Sequence, residues 1–283
     1  MNSIRSITVH IDAAPRCEVR LRIALALARE WQAQLTALYA VTPAPFTVPP
    51  MLAEGSGLYA PSVLDKIDRD RRTLARALFD RVMSDAGNDG VSVRWLDAGD
   101  RPDTSALAQR ALVTDLMVLG QHDPKLTPGM IDADLVASTL IGGGAPALVL
   151  PYAGSFMADA LARPGLRVLV AWKPTREAAR AVHAALPWLQ RAGAVHIAAD
   201  SQAAPGATEL CDWLALHDVR AEVREHTLAA GDPGEMLLSL AADVSADLMV
   251  MGCFGHSRAR ELLLGGVSRT VLRSMTLPML MAH

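Results

Sequence analysis

The chain has 283 residues, 51% of them hydrophobic and 20% charged, and its net charge at pH 7 is −3. The length suits two domains, the composition suits α/β proteins with buried parallel strands, and the charge lacks the basic footprint of a nucleic-acid-binding protein. No apolar run approaches the length of a membrane span and no signal peptide is visible, so we expect a cytoplasmic chain with no membrane partner.

The first predicted strand, at residues 7–12, precedes a helical pattern at residues 19–31. A loop follows, because prolines and glycines interrupt helices and central strands; they are Pro43, Pro45, Pro49, Pro50, Gly55 and Gly57. A second helix has a predicted apolar face, formed by Leu64, Ile67, Leu74, Leu78 and Val82. Proline, glycine and alanine at residues 151–165 mark a junction between two domains.

The second half of the chain repeats the plan of the first half. Residues 115–120, with the sequence DLMVLG, match residues 247–252, with the sequence DLMVMG, at an offset of 132 positions. Pro146 matches Pro278 at the same offset, so this region aligns without a gap. The repeat indicates two copies of one domain.

The two halves differ by one insertion. The strand at residues 7–12 matches residues 168–173 at an offset of 161, which leaves 29 extra residues around residues 43–72. Strands that alternate with helices at this length predict parallel sheets joined by right-handed crossovers, with helices on both faces. We therefore predict an α/β fold of two Rossmann-like domains, at residues 1–152 and 165–283.

The strongest functional motif lies near the end of the chain. An apolar run at residues 247–251 predicts a buried strand, and Gly252, Gly255, Gly265 and Gly266 follow it before the last helical pattern. A helix N-terminus presents unpaired N–H groups and a positive dipole end, and glycines let a phosphate approach the backbone. The pattern predicts a site for a nucleotide phosphate.

The glycine spacing, G-x2-G-x9-G, runs into Val267-Ser268 and is followed by an apolar strand at residues 278–281. This arrangement resembles the nucleotide-binding motif of the universal stress protein family, and the similarity covers both halves. In that family Ser or Thr usually follows the final glycine, whereas Gly266 stands there in this chain. The departure removes one hydroxyl donor and keeps the backbone amide. Ser268 is a candidate replacement donor in the first helical turn.

The resemblance implies five strands per domain in a Rossmann-like order. It also implies that the last strands of the two domains, at residues 148–150 and 279–281, pair across a pseudo-two-fold axis, so that the two domains form an internal pseudo-dimer. A homodimer of whole chains is compatible with this plan. The implied ligand is ATP or another adenine nucleotide, with Mg²⁺ as an optional companion ion.

The resemblance also implies positions for the parts of the nucleotide. Adenine is expected near Ala171 and Lys173, at the end of the first strand of the second half, and near Ile197 at the end of the second strand. Ribose and phosphate are expected near Met251 and Gly252. Lys173 departs from the family, which commonly has Asp there; a lysine cannot accept a hydrogen bond from the adenine amino group, but it can pair with a phosphate.

The first half lacks the open glycine turn. At the offset of 132, the positions equivalent to Gly255, Gly265 and Gly266 are occupied by Asp123, Ala133 and Asp134. Two carboxylates repel phosphates, and the added Cβ atoms obstruct close approach to the backbone. We therefore expect one nucleotide site per chain, in the second half. The family's Asp at the first strand end survives only in the first half, as Asp12.

The three cysteines, Cys17, Cys211 and Cys253, are widely spaced and odd in number. They form neither a disulfide framework nor a metal cluster, which fits a reducing compartment. Cys253 lies inside the glycine-rich turn. It has two interpretations, a packed residue and a redox-sensitive thiol near a helix start, of which the sequence favours the packed residue.

Other polar residues near the motif also have two interpretations. Arg258 and Arg260 are either phosphate contacts or solvated charges, and His256 is either a phosphate contact or a surface residue. Asp232 precedes Pro233 and is expected to cap a helix. Three glycines at residues 142–144 are expected to cap a helix C-terminus rather than to form a displaced phosphate loop.

No pattern in the sequence argues for catalysis. There is no Walker-type Gly-Lys-Ser/Thr, no carboxylate pair for two metals and no nucleophile with an evident base. The leading hypothesis is a tandem universal stress protein that binds an adenine nucleotide in its C-terminal domain and acts in stress response through contacts with an unidentified protein partner. The alternative is an interaction module of the same fold without nucleotide. A slow ATPase requires, in addition, a metal and an activated water.

Overall fold

The computed structural model describes residues 4–41, 61–87, 90–99, 103–125, 133–154, 157–200, 203–226, 232–255 and 266–283. The predicted proline-rich loop lies outside these ranges. Residues 4–145 form one compact unit, and residues 146–154 together with residues 160–283 form another. We refer to them as the N-terminal unit and the C-terminal unit.

The N-terminal unit alternates strands and helices from its start. Its strands are β1 (Ser6–Ile11), β2 (Gln34–Tyr39), β3 (Val93–Asp97) and β4 (Leu116–Gly120). Its helices are α1 (Cys17–Trp31), α2 (Pro61–Ala86), α3 (Asp103–Ala111) and α4 (Leu135–Gly142). The strands are parallel in the order β3-β2-β1-β4, which is the arrangement that crossover helices produce.

Helix α2 forms where the sequence predicts it, but only part of its predicted apolar face is buried. Val82 is buried as predicted, whereas Leu74 is 63% exposed and Ala75 and Phe79 are buried instead. Phe79 packs against Trp95 of β3 with ring centroids 5.1 Å apart. Because the small Ala75 allows close approach and Phe79 brings a large aromatic area, this rotation of the helix displaces Leu74 to the surface.

The C-terminal unit has the same alternation. Its strands are β5 (Ala147–Leu150), β6 (Arg167–Ala171), β7 (Ala194–Asp200), β8 (Glu222–His226), β9 (Leu248–Gly252) and β10 (Met279–Ala282). Its helices are α5 (Arg176–Leu189), α6 (Ala204–Ala215), α7 (Pro233–Asp243) and α8 (Gly266–Ser274). The strand order is β5-β10-β9-β6-β7-β8, and neighbours from β10 to β8 are parallel.

The predicted pairing of the last strands is confirmed. Leu280 of β10 lies opposite Leu148 of β5, and the two strands are antiparallel. Among the described residues, each half of the chain contributes five strands, as predicted for the α/β fold. Strand β5 comes from the first half of the chain but belongs to the C-terminal unit. The domain bounds at residues 152 and 165 remain predictions from the sequence.

Candidate nucleotide site

The carboxyl ends of β6 and β9 meet at one edge of the C-terminal sheet. Ala171, the last residue of β6, lies beside Met251, and Gly252 follows as the last residue of β9. Parallel strands present their carboxyl ends at the same edge, which is where open α/β sheets bind ligands. The structure thus brings together three of the predicted site residues.

Gly252 is required by packing. A Cβ atom at this position would lie 2.4 Å from the backbone nitrogen of Ala178 and 2.6 Å from the backbone carbon of Glu177. Both belong to the first turn of α5, so the glycine lets that helix cross the end of β9. The sequence interpretation assigned Gly252 to phosphate approach, whereas the structure shows a helix contact at this position.

Gly255 lies in an exposed turn after β9. Phe254, directly before it, has a left-handed backbone with φ of 56°, which is uncommon for a residue with a side chain. A Cβ atom at Gly255 would meet only the end of the Glu177 side chain, with Oε2 at 3.0 Å. Because that side chain can move, Gly255 is not needed for folding in the way that Gly252 is.

The start of α8 is exposed among the described residues. Gly266 is the first residue of the helix, and a Cβ atom built on it meets no atom of the described residues within 4 Å. The first N–H groups of a helix have no intrahelical partner and carry the positive end of its dipole. Val267 is half-buried and Ser268 is largely buried, so the open surface at this end is the glycine backbone.

Two side chains that the sequence interpretation missed lie beside this edge. Trp172 follows β6; its backbone N–H donates to the Ala198 carbonyl at 2.9 Å, and its buried indole Nε1 has no hydrogen-bond partner among the described residues. Glu177, in the first turn of α5, is only 3% exposed. Nothing in the sequence distinguishes Glu177 from an ordinary acidic residue in a first helical turn.

Hydrogen bonds from neighbouring groups favour the ionised form of the Glu177 carboxyl. Burial raises the pKa of its carboxyl, but hydrogen bonds from the Arg176 guanidinium, its own backbone N–H and Thr175 outweigh burial and lower the pKa below its usual value. Thr175 also caps α5 by accepting a hydrogen bond from the Ala178 N–H at 3.3 Å. A negative charge therefore lies beside Gly255, while Lys173 is exposed at the end of β6.

Ile197 does not lie at a strand end. It is the middle residue of β7, it is fully buried, and its register partners are Val170 and Val223. Strand β7 continues to Asp200 because its pairing with β8 extends that far. The residue that lies beside Ala171 at the edge is Ala198.

The N-terminal unit fills the equivalent strand end with a buried polar cluster. Arg20 donates to Asp12 at 2.8 Å, and Asp12 also accepts a hydrogen bond from the Ala14 N–H at 2.8 Å. His10 Nε2 lies 2.6 Å from the Ala40 carbonyl oxygen, and burial raises the pKa of the Cys17 thiol to about 12. All four cluster residues, His10, Asp12, Cys17 and Arg20, are at most 1% exposed. Asp12 is thus engaged in the interior.

At the offset of 161, small residues and one lysine replace this cluster in the C-terminal unit. The equivalents of His10, Asp12, Cys17 and Arg20 are Ala171, Lys173, Ala178 and Ala181. Imidazole and guanidinium groups are thereby exchanged for methyl groups, and Ala171 is partly exposed where His10 is fully buried. The second half thus has smaller side chains at this strand end than the first half, apart from Lys173.

The helix that follows β4 begins differently from α8. Asp134 is exposed and directly precedes α4, and Asp123 is half-buried and accepts a hydrogen bond from the Lys125 N–H at 2.9 Å. The glycines at residues 142–144 end α4, as predicted. A Cβ atom at Gly143 would lie 2.5 Å from Ala111 of α3, so helix packing explains that glycine.

Two further expectations are confirmed. Cys253 is 2% exposed, its thiol donates to the Ala282 carbonyl at 3.2 Å, and burial raises its pKa, so it is a packed residue. Asp232 caps α7 by accepting a hydrogen bond from the Gly234 N–H at 2.6 Å, and Thr270 of α8 donates to it at 2.7 Å. The candidates Gly265, His256, Arg258 and Arg260 lie outside the described residues.

No helix among the described residues is long and apolar enough to cross a membrane. Within the same part of the chain, no three His, Cys, Asp or Glu side chains are grouped so that they would hold a metal ion.

Comparisons with known proteins agree with this architecture. Residues 165–283 match the model of the universal stress protein family. A universal stress protein of Methanocaldococcus jannaschii is 32% identical over 65 residues, which are 23% of this chain and 40% of that protein. The chain therefore spans less than half the length of this curated relative.

Solved structures match over almost the whole chain. A universal stress protein of Archaeoglobus fulgidus has a TM-score of 0.69 at 14% identity, covering 98% of this chain and 96% of that chain. A putative universal stress protein of Pseudomonas aeruginosa has a TM-score of 0.59 at 16% identity, covering 99% and 94%. At these identities the likeness shows the fold. Residues 165–283 of this chain match the universal stress protein family model, and the whole chain has the fold of these universal stress proteins.

Proposed function

We propose that the C-terminal unit binds one adenine nucleotide, ATP or a close relative, with its phosphates at the start of α8. The observation that carries this proposal is the exposed Gly266 backbone at a helix N-terminus. Helix dipole and unpaired N–H groups stabilise an anion at such a position. The glycine spacing resembles the family's nucleotide motif.

The small and apolar residues at the end of β6 are compatible with a nucleoside at this edge. Ala171 and Ala181 are small where the N-terminal unit has imidazole and guanidinium groups, and Met251 supplies an apolar neighbour in register with Ala171. Trp172 offers an indole N–H without a partner. Lys173 is exposed at the same edge and supplies positive charge for a phosphate.

The N-terminal unit has no equivalent site in this proposal. The cluster formed by His10, Asp12, Cys17 and Arg20 fills its strand end, and Asp134 puts a carboxylate at the start of its helix. We propose that nucleotide occupancy in one unit alone changes the contacts that a protein partner meets during stress. The two units then have separate roles, ligand binding and structural support.

Two measurements test this proposal. Mass spectrometry of small molecules released from the purified protein should detect an adenine nucleotide, and Gly255→Val should weaken its binding, because a branched side chain obstructs the turn. Gly144→Val is the control: a Cβ atom there meets no atom of the described residues within 4 Å, and it lies in the other half of the chain. Equal binding by Gly255→Val and wild type, both folded by circular dichroism, would contradict the proposed phosphate position.

One observation favours the alternative, an interaction module without nucleotide. The ionised Glu177 carboxylate lies next to Gly255 and would repel a phosphate placed at that turn. In this second proposal, Lys173 and the α8 N-terminus contact an acidic group of a protein partner. The absence of released nucleotide, together with no calorimetric heat from millimolar ATP, would support it over nucleotide binding.

A further inference from the structure

A second group of polar side chains lies on one face of the N-terminal sheet, away from the strand ends. Thr8 of β1, Thr36 of β2 and Arg94 of β3 are register partners, so they form one row across three strands. Arg110 of α3 lies over this row, with Nε 3.2 Å from the Thr8 hydroxyl oxygen and a terminal nitrogen 3.3 Å from the Thr36 hydroxyl oxygen. A terminal nitrogen of Arg94 lies 3.5 Å from the same Thr36 oxygen.

The hydroxyls are buried and the guanidinium groups reach the surface. Thr8 and Thr36 are at most 1% exposed, and the Thr8 hydroxyl also bonds the Thr114 hydroxyl at 2.8 Å. Arg110 is half-buried, whereas Arg94 is exposed on β3, the last strand of the order in its unit. The group therefore has a floor of hydroxyls and two cationic side chains at its rim.

The positive charge of this group is not compensated. No carboxylate in the described part of the chain forms an ion pair with Arg94 or Arg110, although Arg22, Arg72, Arg76 and Arg81 in the same unit each have one. Burial and then the charge of Arg94 lower the pKa of Arg110. Two cations that share one hydroxyl repel each other, and an anion between them would remove that repulsion.

The fold does not require a pair of arginines at these positions. Leu169 is the equivalent of Thr8, and its strand register places His196 and Glu222 at the positions of Thr36 and Arg94. The offset of 132 places Ala242 and Ala246 at the positions of Arg110 and Thr114. Both units form the same parallel strand pairs, so the two arginines are specific to the N-terminal unit.

We propose that Arg94 and Arg110, with the Thr8 and Thr36 hydroxyls, bind a phosphate group, either free or carried by a small phosphomonoester. Guanidinium groups bind phosphate through paired N–H donors, and a threonine hydroxyl can donate to a phosphate oxygen while it accepts from arginine. The two arginines approach from different elements, which suits a tetrahedral anion. A charge of about −2 on the phosphate matches two guanidinium groups.

The test follows the arginine Nε–Hε signals of the full chain by ¹⁵N NMR during titration. One arm uses inorganic phosphate and the other glycerol 3-phosphate, both at ionic strength held constant with NaCl. A saturable shift of the Arg94 or Arg110 signal is expected in at least one arm. Tighter binding of the ester would identify an esterified ligand, and tighter binding of inorganic phosphate would identify the free ion.

Substitutions locate the site. Arg94→Met and Arg110→Met should each weaken binding roughly tenfold or more, since a hydrogen bond to a charged group contributes about 1.5–3 kcal/mol. Arg224→Met is the matched control, because Arg224 is an exposed arginine of β8 whose charge is paired with Glu222 at 3.0 Å. It should leave phosphate binding unchanged.

Three results would overturn the proposal. They are the absence of a saturable shift up to tens of millimolar of either probe, a shift that NaCl alone reproduces, and an equal loss of binding in Arg224→Met. If Arg110→Met fails to fold, Arg94→Met decides the outcome, because Arg94 is exposed on the last strand. The shift should persist in Gly255→Val, so it is independent of the nucleotide site.

Discussion

The two units share one plan of strands and helices but place opposite chemistry at the same strand end. In the N-terminal unit, the end of β1 is closed by a buried ion pair between Asp12 and Arg20. In the C-terminal unit, the end of β6 has Ala171 and an exposed Lys173 instead. The same parallel strand pairing therefore forms with either set of residues at this strand end.

The comparison also separates the roles of the glycines after β9. Gly252 is enclosed by the first turn of α5, whereas a Cβ atom at Gly266 would enter open space. A glycine enclosed by backbone atoms allows two elements to pack closely. A glycine that faces solvent at a helix start leaves room for a ligand. The following predictions run from the largest expected effect to the smallest.

The first prediction concerns a variant in which the start of α8 carries the same residue as the position directly before α4. Gly266→Asp introduces the carboxylate that Asp134 supplies at the equivalent position. A unit charge about 4 Å from a phosphate charge costs roughly 4 kcal/mol near a protein surface, so nucleotide affinity should fall more than a hundredfold. Calorimetric titration measures the change.

Gly266→Asn is the control for the first prediction, because it has the same shape without the charge. It should bind nucleotide far more tightly than Gly266→Asp. An acidic residue at a helix N-terminus stabilises the helix, so the Asp variant should remain folded. Equal affinities of the two variants would show that phosphate lies elsewhere.

The second prediction concerns the loss of the buried ion pair between Asp12 and Arg20 at the end of β1. Arg20→Met leaves Asp12 charged and buried without its partner, which should lower the free energy of unfolding by about 3–5 kcal/mol. Urea denaturation measures this loss. The double variant Asp12→Asn, Arg20→Met removes the unpaired charge and should recover part of it. A single variant as stable as wild type would mean that the ion pair does not hold this end together.

The third prediction contrasts the packed glycine with the open turn. Gly252→Ala should lower the free energy of unfolding by about 1–3 kcal/mol, because its methyl group would overlap the backbone of α5. Gly255→Ala, which meets only the end of the Glu177 side chain, should change stability by less than about 0.5 kcal/mol. Denaturation of both variants in parallel gives the comparison, and equal effects would contradict it.

The fourth prediction concerns the pH dependence that Glu177 confers. Its pKa in the folded protein lies below the ordinary value of 4.5, so the unfolded chain binds this proton more readily. The carboxylate thus contributes stability that is complete above that ordinary value and is lost as the pH falls through the lower folded pKa. Wild type should lose more stability than Glu177→Gln on acidification below about pH 4.5. Thermal melts across that range provide the measurement, and parallel curves would contradict the assignment.

Much of the fold could be predicted from the sequence, because the internal repeat gives two copies of every strand and helix signal. The resemblance to the family added the pairing of β5 with β10, which the register confirms. Hydrophobicity alone predicts only part of the buried face of α2: Val82 is buried, but Leu74 is exposed because the contact of Phe79 with Trp95 sets the rotation of the helix. Helix rotation depends on tertiary packing that a single sequence does not display.

The candidate site could be predicted only in part. Ala171, Met251 and Gly252 meet as expected, since they end neighbouring parallel strands. The prediction that Ile197 ends a strand is wrong because β7 continues to Asp200, as far as its pairing with β8 extends. A single sequence does not display that pairing. The burial of Glu177 depends on how α5 crosses β9, so the sequence alone does not predict that its charge lies beside Gly255.

The central claim is that one unit binds a nucleotide and the other does not. Calorimetric titration of the full chain with ATP, with and without Mg²⁺, tests it most directly through the stoichiometry. We predict one nucleotide per chain, with Gly266→Asp removing the heat of binding and Arg94→Met leaving it unchanged. Two equivalent nucleotides per chain, or none at millimolar ATP, would contradict the difference between the two units.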